Sequence, residues 1–122
     1  DPLKSKAENI IRDGARRSHR ARAAAYNSLG EVFRNKEKKP KEALMSYLRG
    51  ITEFQKYIFG TREHEQSLAM STVTMFEYGK TLPEESQKDM YIQRAAALFR
   101  ELITRYPNSN LLGPVKQVLD KK

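Results

Sequence analysis

The sequence contains no cysteine. Disulfides, thiolate metal sites and cysteine nucleophiles are thereby excluded, and the redox compartment is left open. Histidine is almost as scarce: His19 and His64 stand alone, neither four residues from a second histidine as a metalloprotease helix requires. The six glycines are scattered singly, so there is no glycine-rich loop to cradle a phosphate and no Gly-x-Ser-x-Gly elbow to expose a nucleophile. No apolar run approaches the roughly 20 residues that span a bilayer, and Asp1-Pro2-Leu3-Lys4 does not read as a signal peptide. Valine and isoleucine are sparse and never alternate with polar residues, so no segment reads as a strand.

The chain that remains is short and heavily charged. Its 122 residues fit one domain, and 39% hydrophobic against 31% charged residues suits thin helical layers better than a deep globular core. The net charge of +8 is unevenly placed: residues 1–41 hold 12 Lys and Arg against 5 Asp and Glu, whereas the remainder holds 11 against 10. An N-terminal third at +7 favours anionic partners, and Arg12, Arg16, Arg17 and Arg20 fall at helical spacing, as a cationic ridge would. Aromatic residues are not interleaved there, so single-stranded bases have no stacking platform.

Between turn signals the stretches run about 14 to 20 residues, which is helix length. A first helix over about 3–15 carries Ala7, Ile10, Ile11 and Gly14 on one stripe. A second over 21–35 carries Ala25, Tyr26, Leu29, Gly30 and Phe33; the spacing is equally compatible with one continuous helix over 3–35. Pro40 belongs in the first turn of a third helix, over 41–58 with Leu44, Tyr47, Leu48, Ile51, Phe54, Tyr57 and Ile58, which Gly60 ends. Thr61 caps a fourth, with Glu63-His64-Glu65 as its solvated start and Gly79 as its stop. A fifth starts from the capping-box spacing Thr81-Leu82-Pro83-Glu84 or slightly later at Ser86 and runs to Tyr106. After the turn Pro107-Asn108-Ser109-Asn110, Leu112, Val115, Val118 and Leu119 make a short capping helix over about 110–120. Glu84, Glu85 and Asp89 sit among Ser, Gln and Lys, which gives no dry cleft to raise a carboxylate pKa, and an enzyme is not expected.

Short loops between successive helices leave a plain bundle or a helical solenoid, and self-similarity separates the two. Tyr26-x2-Leu29-Gly30-x2-Phe33 followed by Ala43-x3-Tyr47-x2-Gly50 resembles the paired-helix pattern of tetratricopeptide repeats. Ala95-x3-Phe99 with Tyr106-Pro107-Asn108-Ser109 is similar to that family's second helix and terminal proline, while Leu68-x2-Ser71-Thr72-x2-Met75 matches its first helix only in size order. The resemblance implies an all-α, right-handed solenoid of antiparallel helix pairs in a single domain: a flanking helix, a first repeat over 21–58, a second over 62–107 and the cap.

It further implies a protein-interaction scaffold without a cofactor or metal, whose concave groove binds a peptide or protein segment. Ala24, Asn27, Glu31, Arg34 and Asn35 would face that groove from the first repeat. From the second, Gln66, Ala69, Val73, Phe76 and Glu77 would face it. Nucleic acid or another anion on the arginine ridge is the alternative. Arg105-Tyr106-Pro107-Asn108-Ser109 is also similar to repeat endings in bacterial cell-envelope members, which points to the periplasm.

Overall fold

A computed structural model describes residues 1–12, 19–55 and 61–121, and among them every regular element is helical. The helices are α1 (Pro2–Arg12), α2 (His19–Glu31), α3 (Pro40–Gln55), α4 (Arg62–Lys80), α5 (Glu85–Arg105) and α6 (Leu112–Leu119). Among the described residues no helix is long and apolar enough to cross a membrane. Gly14, Arg16, Arg17, Tyr57, Ile58 and Gly60 lie outside the described residues, as does the question whether α1 and α2 are continuous.

Local chemistry explains most boundaries. Asp1 caps α1, its Oδ1 accepting from Leu3 N at 2.8 Å. Pro40 opens α3, where its missing N–H costs nothing. Thr61 caps α4, its hydroxyl accepting from His64 N at 3.3 Å.

Three boundaries differ from expectation. The second helix widens out of α geometry at Val32–Lys36 into a π turn, with Glu37 N donating to Val32 O, and Lys38 then reverses the chain at φ 56. Gly79 does not stop α4, which runs on to Lys80; it is a packing glycine, since a Cβ there would meet Tyr91 Cβ at 2.7 Å. Thr81 does not cap α5 either: its hydroxyl donates to Tyr78 O at 2.6 Å and so closes α4, while α5 begins at Glu85 with no side-chain cap.

Neighbouring helices from α2 to α5 run antiparallel. Gly30 and Asn27 of α2 meet Tyr47 and Gly50 of α3, so one chain rises as the other falls. Likewise Gly79 lies against Tyr91 at one end of the α4/α5 pair, and His64 meets Tyr106 at the other. Alternate helices also touch, α2 on α4 and α4 on α6. Arg20–Glu63, Asn27–Ser67 and Arg34–Glu77 join α2 and its π turn to α4 in parallel, at separations of 40 to 43 residues.

Close approach depends on small residues. A Cβ on Gly30 would stand 2.7 Å from the ring of Tyr47, and one on Gly50 would stand 2.7 Å from Ser67 Oγ. Ala23, Ala43 and Ala95 are wholly buried at 0% exposure, which places helix axes near one another across α2, α3 and α5. Both apolar clusters run through α4: Leu68, Ala69 and Val73 pack with Ile51, Leu102 and Val115, and Met75 and Phe76 pack with Leu44 and Ala95.

Candidate functional site

The residues expected to share one groove separate into five environments. Asn27, at 3% exposure, is an internal fastener: its Nδ2 donates to Glu63 O at 3.1 Å and its Oδ1 accepts from Ser67 Oγ at 2.7 Å. Gly50 leaves the room for this junction of α2, α3 and α4, because a side chain there would strike both Ser67 and Asn27. Asn27 therefore does not face a groove; a half-polar helix position bonded inward instead of outward.

Ala69, Val73 and Phe76 are buried as well, at 1%, 6% and 8% exposure. Leu112, Val115, Val118 and Leu119 of α6 pack onto the same clusters, so the capping helix covers the middle of α4 where an open groove was expected. Ala24 belongs to a third place, a furrow between α1 and α2.

Glu31, Arg34, Asn35 and Glu77 gather near the π turn. Arg34 donates to Glu77 Oε1 from Nε at 3.1 Å and from Nη2 at 2.9 Å, while Glu31 and Asn35 are exposed. Beneath them Arg34 and Glu31 act in opposite directions on the buried Tyr47 phenol, but burial dominates and pushes its pKa up to about 12. The Lys4 ammonium on Glu37 at 2.7 Å holds that carboxyl below the usual range, with burial opposing and Lys39 assisting. Lys4 also lies 4.7 Å above the Phe33 ring, which ties α1 to the π turn.

Gln66 lines a cleft of about 550 Å³ at the start of α4, together with Arg62, Glu65, Tyr106, Asn110 and Leu111. One wall is fixed from inside by His64, whose Nδ1 pairs with the Tyr106 hydroxyl at 2.7 Å; that hydroxyl also lies 3.4 Å from Thr61 O. Burial lowers the His64 pKa, Arg105 lowers it further and Glu101 opposes both.

The expectation that Glu63-His64-Glu65 is a solvated helix start thus fails for its central member, which is 1% exposed. His64 sits four residues before Leu68, on the same inward stripe, and that spacing was the available signal. Tyr106 had appeared only as a helix end and repeat ending, Asn110 as part of a turn, and Leu111 only as part of the capping helix over about 110–120. The connection that brings them to α4 is tertiary.

Of the arginine ridge, Arg12 is exposed at the end of α1 and Arg20 is engaged by Glu63 at 2.6 Å; Arg16 and Arg17 lie outside the described residues. Among the described residues no three His, Asp or Glu side chains gather as a metal site would need.

No family model, no curated protein and no solved structure matches this chain.

Proposed function

We propose that the chain is a protein-binding scaffold, a tetratricopeptide-like right-handed stack of helix pairs that holds a peptide or protein segment in the cleft at the start of α4. The alternating contacts of α2, α4 and α6 support the stack reading. The spacing of 40 to 43 residues between paired positions is longer than the roughly 34 of tetratricopeptide units. The excess lies between α2 and α4, in the π turn Val32–Lys36 and the 16-residue α3.

The cleft lining is the observation that carries the reading. Gln66 and Asn110 offer amide groups that both donate and accept, which suits the backbone of an extended segment. Arg62 and Glu65 add one charge of each sign to fix register, and Tyr106 and Leu111 add apolar contact. The wall is fixed in advance by the Thr61 cap and the His64–Tyr106 bond, so little conformational entropy is lost when a segment docks.

The test is a peptide-display selection on the whole chain, followed by NMR mapping of the selected peptides. Shifts centred on Gln66 and Asn110 are expected, with binding weakened about tenfold or more in the Gln66→Ala/Asn110→Ala double variant. Peptides that map elsewhere, or that bind the double variant unchanged, would refute the assignment.

A further inference from the structure

In this fold each even-numbered helix rests on the two helices that follow it. Helix α2 lies on α3 and α4, and α4 lies on α5 and α6. Between α1 and α2 the structure has a furrow of about 270 Å³. Its floor is made by Ala7, Ala24 and Ala25, with Leu3 and Ile10 on the α1 side and Ser28 on the α2 side. Leu3 is 40% exposed although it lies on the apolar stripe that continues into the buried Ala7.

The two ends of the stack differ in chemistry. Helix α6 buries Val115 and turns Lys116 and Gln117 to solvent, with exposed Asp120 just beyond its end. The α1/α2 end presents small and apolar side chains instead. A second copy joined end to end would have to place that polar face of α6 in the furrow, so the chain itself is a poor occupant. Among the described residues of the furrow lining Lys6 is the ionised one, and residues 1–41 carry +7, so an acidic partner is favoured electrostatically.

We infer that the α1/α2 furrow is a docking site for one amphipathic helix of another protein, with an apolar face for the Leu3, Ile10 and Ala24 surface and glutamate or aspartate beside Lys6. The alanines allow the close axis-to-axis approach that bulky side chains would prevent. This site is separate from the cleft at Gln66 and stands without it.

Two synthetic helices of about 15 residues, near the length at which isolated helices begin to hold, test the inference against the full chain. Both carry leucine at i, i+3, i+4 and i+7; one is flanked by glutamate and the other by lysine. The glutamate peptide is expected to bind more tightly and to shift the amides of Ala7, Ala24 and Ser28. Lys6→Glu, an exposed change that leaves folding intact, should weaken it about fivefold and reverse the preference. Ala24→Gln should block both peptides, with helicity checked by circular dichroism. Gln66→Ala/Asn110→Ala should leave this binding unchanged, which separates it from the cleft. Absence of binding, tighter binding of the lysine peptide, shifts confined to the Gln66 cleft, or sedimentation showing self-association through Leu3 and Ala24 would each overturn it.

Discussion

Gly30 lies under Tyr47, and their contact shows what a single missing methyl group does. A Cβ at position 30 would stand 2.7 to 2.9 Å from three ring atoms of Tyr47, a side chain only 1% exposed and walled in by its neighbours. Alanine gains about 1 kcal/mol of helix propensity over glycine, while overpacking a filled core costs about 1–3 kcal/mol. The clash prevails because a rigid buried ring cannot turn aside. Gly30→Ala should therefore lower the urea midpoint, and adding Tyr47→Leu should recover part of the loss. A Gly30→Ala variant as stable as the parent would show that this contact does not set the helix spacing. Gly30, Ala43 and Gly50 were legible in the sequence because small residues beside aromatics recur at fixed spacing. Asn27 was not: nothing local distinguishes an asparagine that points outward from one bonded to Ser67 and to Glu63 O on another helix.

At the scale of elements, the clearest joint is between the start of α4 and the end of α5. Thr61 caps α4, His64 bonds Tyr106, and Tyr106 stands at the C-terminal end of α5. Burial is the main reason that the folded state disfavours protonated His64, with Arg105 second and Glu101 opposing. A folded-state pKa below the unfolded value of about 6.5 means that the stabilising contribution is fully present above that pH. As pH falls from about 6.5 toward the folded pKa, the unfolded chain takes up a proton that the folded chain refuses, and stability declines. His64→Gln should be less stable near neutrality but should show a flatter loss between about pH 7 and pH 5, measured by urea midpoints. Parallel curves for the two proteins would remove His64 from the account.

Starts and stops of elements were legible where one residue decides them. Pro40 and Thr61 each act on their own first turn. The π turn at Val32–Lys36 was not, because it depends on the reversal at Lys38 and on Lys4 holding Glu37. Thr81 was not legible either: its hydroxyl donates back to Tyr78 O at the end of α4, and α5 starts only at Glu85.

For the whole molecule, the all-helical class and the antiparallel order followed from segment length and short connections. The groove did not. A sequence lists which side of α4 a residue occupies, but whether that side stays open depends on α6 folding back over Ala69, Val73 and Phe76. The same contact makes α4 the hub of the fold, bounded by α2, α3, α5 and α6. Helices α1 and α6 each bury one residue, Ala7 and Val115, whereas α4 buries most of its length. In a stack held by nearest-neighbour contacts, opening proceeds inward from the ends, because the terminal elements have the least apolar surface to expose. Native-state hydrogen exchange should therefore rank α4 slowest, α3 and α2 next, and α1 and α6 fastest. The expected order rests on burial alone, so it also separates two ways of building the domain. A uniformly cooperative bundle would exchange all six helices through one global unfolding event, with equal protection in α1, α4 and α6, and that result would contradict stepwise stacking.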